Sequence, residues 1–178
     1  EYKVRVVPWA DPKPGEPFKE LWFYYFGDNS ALTRKQFGEF DPIDDLRGKL
    51  FKDGEKELAK RLFPKMRAFA AIVDRADEDK GVQIFSLGKM VNERMLGFFL
   101  NEEIGDYTDP DNGLDLIVKF KKIQGKKFCD TEVDVARKST KLSADPAKVA
   151  DWLKNQPNPL DVYKNKKKGA ADLEKMLN

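Results

Sequence analysis

The sequence predicts a mainly β protein with helical insertions, and three observations support this prediction. Short apolar or alternating runs are separated by turn signals such as Gly27-Asp28 and Gln124-Gly125, as expected for hairpins. Segments with apolar residues at helical spacing lie between these hairpins and do not follow each strand, so a parallel α/β fold is not indicated. About six strands result, and a five-stranded antiparallel barrel of the OB type with a small helical subdomain fits this number.

The first elements are justified by alternation and by turn residues. A strand is predicted at 2–7, where polar and apolar residues alternate up to Pro8. Residues 11–17 hold three prolines and a glycine and are predicted to form a loop. A second strand is predicted at 20–26, and the turn signal that follows makes 31–37 its hairpin partner.

The middle of the chain combines helices with a second hairpin. Leucines near helical spacing predict a helix over 44–63, although Gly48 and Gly54 leave two shorter helices open. Strands are predicted at 66–73 and 82–87, around an acidic turn. A helix is predicted at 89–100, with Met90, Val91, Met95, Leu96 and Phe99 on its buried side.

The last third predicts one more hairpin and two helical segments. Residues 114–123 and 127–137 flank the turn at Gln124-Gly125-Lys126. Asp145-Pro146 introduces a short helix at 147–155, and a charged terminal helix is predicted within 160–177. We therefore expect an OB-fold core at 1–143 with a helical subdomain inserted at about 38–64, and a C-terminal helical segment at 144–178.

Composition excludes several classes of protein. The chain has 36% charged residues, and no apolar run approaches the roughly 20 residues of a membrane-spanning helix. It has no histidine and a single cysteine, Cys129, so a disulfide framework, a Cys/His zinc site and a histidine-dependent nucleophile are excluded. Cys129 is expected to be buried with Val133 and Val135. The chain begins at Glu1 without a visible signal peptide, and we expect it to be a fragment of a longer protein.

Basic residues are concentrated although the net charge is only +2. Residues 116–143 contain eight basic and three acidic side chains, and a second basic cluster lies at 164–168. Such local excesses favour a polyanionic ligand, whereas a solvated surface hairpin is the alternative explanation.

Aromatic residues are interleaved with these cations on predicted strands. The run 22–26 is entirely aromatic, and alternation places Leu21, Phe23 and Tyr25 on one face and Trp22, Tyr24 and Phe26 on the other. One face can be core, and the other then offers rings on which bases stack. Further rings and cations follow on later strands: Arg34, Lys35, Phe37, Phe40, Lys65, Arg67, Phe69, Lys119, Lys121 and Phe128.

Two alternatives remain open at this point. Asp41, Asp44 and Asp45 could hold Mg²⁺ in a nuclease or another phosphoryl-transfer enzyme, or they could cap a helix and favour its N-terminus. A barrel that only binds other proteins, with its aromatics buried, is the second alternative. Neither a Walker A nor a GxGxxG pattern is present.

The order of four motifs resembles the helix-destabilising single-stranded DNA-binding proteins of T-even-type phages and their cyanophage relatives. The motifs are VRVVP at 4–8, KMRAFAAIV at 65–73, FSLGKMV at 85–91 and DNGLDLIVK at 111–119. The resemblance covers most of residues 3–143. It implies an OB-fold core and a basic, aromatic-lined cleft, with Lys65, Arg67 and Phe69 as DNA contacts.

The resemblance also shows departures. The family's subdomain holds zinc through a Cys-Pro-x-Cys step, whereas the matching stretch here is Asp41-Pro42-Ile43-Asp44. We therefore expect the subdomain without the metal. Ala68 stands where some members carry an aromatic residue, and the family's basic N-terminal arm and acidic C-terminal tail are not recognised.

These observations together predict a non-enzymatic protein, without cofactor or metal, that coats single-stranded DNA with little sequence preference. The resemblance implies roles in phage DNA replication, recombination and repair in the cytoplasm of an infected bacterium. The partners it implies are single-stranded DNA, further copies of the chain and phage replication proteins, and no membrane. The predicted DNA contacts are Arg5, Trp22, Tyr24, Arg34, Lys35, Phe37, Phe40, Lys65, Arg67, Phe69, Lys119, Lys121 and Lys122.

Overall fold

The fold is mainly β with several helices, which confirms the class that the sequence predicts. The computed structural model describes residues 1–13 and 16–177, and this part of the chain contains seven strands and six α-helices. The strands are β1 (Tyr2–Val7), β2 (Lys19–Phe26), β3 (Asn29–Leu32), β4 (Lys65–Asp74), β5 (Gln83–Leu87), β6 (Leu114–Lys121) and β7 (Asp130–Ser139). The helices are α1 (Pro42–Lys52), α2 (Lys56–Arg61), α3 (Lys89–Leu100), α4 (Pro146–Lys154), α5 (Pro159–Val162) and α6 (Ala170–Lys175).

The chain forms two compact units, and each combines two separate segments. The first unit comprises Glu1–Lys19 and Ala68–Asn158, and the second comprises Glu20–Arg67 and Pro159–Asn178. In this division the inserted unit begins at Glu20, whereas the expected subdomain begins near residue 38. The last segment of the chain belongs to the same unit as the insertion.

The first unit is organised around β1, which has a neighbour on each edge. β1 is antiparallel to β4, with Val6 opposite Ile72, and antiparallel to β6, with Val4 opposite Leu116. β4 also pairs with β5, and β6 with β7, so the order within this unit is β5-β4-β1-β6-β7. Because β1 is central, its last four residues are all buried, including the charged one.

Helix α3 contacts β5 and β7, the two outer strands of this unit. Its bounds are those that the sequence predicts, and Val91, Met95 and Phe98 are buried at positions spaced four and three residues apart. The prediction that Met90 is buried is wrong, since 81% of this residue is exposed. Phe98, absent from the predicted buried side, is buried on the helix face that packs inward.

The second unit packs a short hairpin against helices. β2 and β3 are antiparallel, with Phe23 opposite Leu32. Tyr24 and Ala31 form a buried cluster with residues of the helical segments, namely Ile43, Leu62 and Leu173. On the other face of β2, the Phe23 ring meets the Tyr163 ring edge-on, with 5.2 Å between centroids. Both faces of the aromatic strand are therefore covered in part.

Two predicted elements are divided differently in the structure. The helix predicted over 44–63 is two helices, α1 and α2, because Gly54 adopts a positive φ of 84° between them. The hairpin partner predicted at 31–37 ends at Leu32, and Lys35–Phe37 form a 3-10 helix that Gly38 terminates.

The remaining predictions agree in position with the structure apart from their ends. The strands β4 to β7 and helix α4 lie where they are predicted, and the terminal segment is divided into α5, a 3-10 helix at Lys164–Lys166 and α6. The predicted loop at 11–17 includes Pro14 and Gly15, which lie outside the described residues. Among the helices that the structure describes, none has the length and apolar character needed to cross a membrane.

Candidate nucleic-acid interface

Three of the predicted DNA contacts are buried, and we correct their assignment. Arg5, Tyr24 and Phe69 expose 1% of their surface or less. Alternation along a strand predicts which residues share a face, but neighbouring elements cover β1, β2 and β4 at these three positions on either face. These side chains serve the two cores and are not available to a ligand on the surface.

Arg5 illustrates why a strand cation can be structural. Its guanidinium donates hydrogen bonds to the backbone carbonyls of Asp109 and Thr140, and burial lowers its pKa below the usual value. A Cβ at position 113 would overlap with the same guanidinium and with the carbonyl of Tyr107, so only glycine fits there. The arginine therefore ties β1 to the turn that precedes β6.

The C-terminal segment engages Arg34 and Phe37. Arg34 pairs with Glu39 at 2.8 Å and donates to the carbonyl of Lys168 at 3.0 Å. Lys167 lies 4.3 Å from the centroid of the Phe37 ring and also pairs with Glu39, at 3.0 Å. The basic cluster at 164–168 thus lies beside two predicted contacts, a proximity that sequence spacing does not indicate.

The other predicted contacts in the second unit lie at or near the surface. Trp22 and Phe40 are exposed aromatic residues, and Lys65 is an exposed cation at the start of β4. Lys35 is exposed and pairs with Asp44 at 2.9 Å. Arg67 is half-buried.

The last three predicted contacts belong to a hairpin that extends beyond the sheet. β1 pairs with β6 only from Tyr2, opposite Val118, to Val4. Beyond Val118, β6 keeps only β7 as a neighbour, and residues 121–130 are all exposed. We call residues 119–130 the hairpin arm. Its sequence contains five lysines and one acidic residue.

The lysines of the hairpin arm differ in their partners. Lys119 pairs with Glu1 at 3.6 Å, Lys121 with Glu132 at 2.6 Å and Lys126 with Asp130 at 3.3 Å. Lys122 and Lys127 form no ion pair with any residue that the structure describes. Exposed pairs of this kind are weak, so phosphate groups can replace the carboxylates as partners.

Exposed rings accompany these lysines. Phe128 is 76% exposed, and the ammonium of Lys127 lies 5.8 Å from its ring centroid. Phe120 meets Tyr2 edge-on at 5.6 Å between centroids, and half of each residue is exposed. Cys129, expected to be buried, is exposed between Phe128 and Asp130 because it lies on the arm.

The carboxylates proposed as a magnesium site have other roles. Asp41 caps α1: its carboxylate accepts hydrogen bonds from the backbone N–H groups of Ile43, Asp44, Arg34 and Lys35, at 2.8–3.3 Å. Asp44 pairs with Lys35 and Arg47, and Asp45 pairs with Lys49. Within residues 1–13 and 16–177, no three Asp, Glu, Cys or His side chains are grouped so that they could hold a metal ion. The Asp41-Pro42 step therefore starts a helix.

The chain matches no model of a known protein family, and a search of curated proteins gives no significant match.

The sequence predicts lysines of the arm as DNA contacts but does not assign its rings to the site. Phe128 follows Lys126 and Lys127 directly, whereas Tyr2 and Phe120 lie in predicted strands without a ligand role. The signal in the sequence is the Phe-Lys-Lys and Lys-Lys-Phe steps on either side of the turn at Gln124-Gly125. That these rings are exposed follows only from the structure, in which the pairing between β1 and β6 ends at Tyr2 and Val118.

Proposed function

We propose that this protein binds single-stranded DNA without marked sequence preference. The observation that carries the proposal is the hairpin arm, where Phe120 and Phe128 are exposed among five lysines. The ammonium groups neutralise phosphates and release counterions, and the rings stack on unpaired bases. Every base has a flat face, so stacking of this kind gives little sequence selectivity.

The strand order of the first unit supports the same proposal. In chain order its strands are β1, β4, β5, β6 and β7, and their spatial order is β5-β4-β1-β6-β7. This is the order of an OB-type barrel opened between its third and fifth strands, with α3 following the third strand. OB folds bind oligonucleotides partly through the loop between strands four and five, and the hairpin arm occupies that connection here.

The resemblance to phage helix-destabilising proteins suggests the biological setting. In this proposal the chain coats DNA exposed during replication, recombination and repair in the cytoplasm of the infected host. It acts without catalysis, because binding to the unpaired strand alone shifts the duplex equilibrium by mass action. Copies of the chain and phage replication proteins are its proposed partners.

The test is a titration of labelled oligothymidine at several salt concentrations. We expect saturable binding whose logarithmic affinity falls linearly with the logarithm of salt concentration. In the triple variant Lys122→Ala/Lys126→Ala/Lys127→Ala, the slope should become less steep by about 0.7 for each phosphate that is no longer neutralised. A fluorophore on Cys129, the single cysteine of the chain, provides a second signal from the arm itself.

A matched control removes three exposed lysines of the same unit outside the arm: Lys80, Lys138 and Lys154. We expect this variant to keep the parent slope. Equal decreases in slope for both triple variants would mean that charge alone matters and that the arm has no special role. Absence of binding at low salt would favour the protein-interaction barrel, and cleavage of the DNA in the presence of Mg²⁺ would favour the nuclease.

A further inference from the structure

The second unit carries an exposed aromatic pair that its core does not use. Phe51, at the end of α1, and Phe63, just after α2, meet edge-on with 5.9 Å between ring centroids. The guanidinium carbon of Arg47 lies 4.7 Å from the centroid of the Phe63 ring. We call Arg47, Phe51 and Phe63 the aromatic patch. None of the three belongs to the buried cluster of this unit, which uses Leu62 and, in part, Leu50.

Both rings are exposed beside leucines that pack into the core. Phe63 is 49% exposed although the preceding residue, Leu62, is buried in the cluster. Phe51 is exposed next to Leu50, which packs against the cluster. An exposed aromatic pair forgoes the free energy of apolar burial unless a ligand covers it.

The charge around the patch identifies the ligand class. Residues 47–67 hold eight basic side chains and three acidic ones. Lys52, Lys56, Arg61 and Lys65 are exposed, and none forms an ion pair with a residue in the described part of the chain. Lys65, at the start of β4, follows Phe63 by two residues in the sequence.

We propose that the aromatic patch is a second contact site for single-stranded nucleic acid, separate from the hairpin arm. A base stacks on the accessible surface of Phe63 and Phe51, and the neighbouring Lys and Arg side chains contact its phosphates. A base fits better than an acidic peptide, because the exposed rings of Phe51 and Phe63 offer flat apolar surface on which it can stack, whereas an acidic peptide would use the cations alone. This inference rests on the proposed function, since it assumes that the chain binds a single strand.

The test compares two probes of equal length and charge: oligothymidine and an abasic strand that lacks bases. We expect Phe63→Leu to weaken the binding of oligothymidine about tenfold, the effect of removing one stacked base. The same variant should bind the abasic strand like the parent, because leucine keeps the apolar volume and the charges are untouched. Phe51→Leu serves as a second variant if Phe63→Leu does not fold.

The matched control is Leu58→Ala. Leu58 is 46% exposed on α2 and offers no ring, so oligothymidine affinity should remain that of the parent. Circular dichroism and the melting temperature establish that each variant is folded. An equal decrease in affinity for both probes would overturn stacking and assign the patch to charge or to structure.

The outcomes separate this inference from the proposed function. If the arm variant binds weakly while both phenylalanine variants bind oligothymidine like the parent, the patch is not a nucleic-acid site and the proposed function stands. If the parent itself fails to bind at low salt, the proposed function fails first. Binding of an acidic protein to the patch with unchanged oligothymidine affinity would also overturn the inference.

Discussion

At the scale of single residues, the same side-chain type serves opposite purposes depending on its surroundings. Arg5 and Lys122 are both cations on or next to a strand, yet Arg5 is buried against backbone carbonyls and Lys122 is exposed on the arm. Asp41 is the clearest example. The sequence allowed its carboxylate as a metal ligand, but in the structure it accepts four backbone hydrogen bonds. Burial and the nearby charge of Asp41 raise the pKa of Tyr24 above its usual value.

Replacement of Asp41 by alanine should destabilise the second unit. Asp41 is only 5% exposed, so removal of its carboxylate leaves the buried N–H of Ile43 and the partly buried N–H of Arg34 without acceptors. We expect a decrease of about 2–4 kcal/mol in the free energy of unfolding, from the helix cap and from the unsatisfied donors. Urea denaturation measures it.

Asp45→Ala is the control for this prediction. Asp45 is an exposed carboxylate of the same helix, and it pairs with Lys49, four residues later. Its replacement should cost about 0.5 kcal/mol or less. Similar decreases in the two variants would show that Asp41 acts through its charge near the helix and not as a cap.

At the scale of elements, the local sequence pattern predicts where a helix or strand lies in the chain better than it predicts which of its residues are buried. The bounds of α3 follow from its apolar spacing, but the pattern alone admits Met90 and Met95 to the same buried side. The structure buries Met95 completely and exposes Met90 in the first turn. The arm shows the same limit for strands, since the β6 pattern does not reveal that β1 begins at Tyr2 and leaves Phe120 uncovered.

The two methionines of α3 provide a direct test at this scale. We expect Met95→Ala to lower the free energy of unfolding by about 2–5 kcal/mol, because a buried side chain is replaced by a cavity. Met90→Ala should change it by about 0.5 kcal/mol or less, as for an exposed position. Chemical denaturation of both variants measures the difference. Equal effects would contradict the orientation of α3.

At the scale of the whole molecule, the proposed function predicts a coupling between ligand and stability. A ligand that binds only the folded chain adds about 2.7 kcal/mol to the free energy of unfolding at a free concentration 100 times its Kd. Oligothymidine should therefore raise the Tm, and added salt should remove the increase because the contacts are electrostatic. Thermal unfolding with and without oligothymidine measures this shift.

The triple lysine variant of the arm is the comparison for this measurement. Its own Tm should be close to that of the parent, since these lysines are exposed, while the increase caused by oligothymidine should shrink. An undiminished increase would place the binding surface elsewhere in the chain.

The candidate site is predictable from the sequence in its chemistry and only partly in its residues. Lys121 and Lys122 are exposed, as contact with a phosphate requires, and their role as DNA contacts stays a prediction. The prediction for Arg5, Tyr24 and Phe69 is wrong because it assumes that these positions lie on an open face of their strands, and each of the three is buried. Phe51 and Phe63 are not predicted as site residues, because the sequence pattern does not distinguish an exposed phenylalanine from a buried one when a leucine precedes it.

The sequence by itself determined the class of fold, the position of most strands and helices, and the absence of histidine- and disulfide-based chemistry. These properties depend on periodicity, turn residues and composition, which are local or additive along the chain. The tertiary structure alone decided which rings face solvent, which cations are free for a ligand and that residues 159–177 join the inserted unit. The physical reason is that burial depends on where neighbouring elements end, and the length of a neighbour is not encoded in the pattern of the strand it covers.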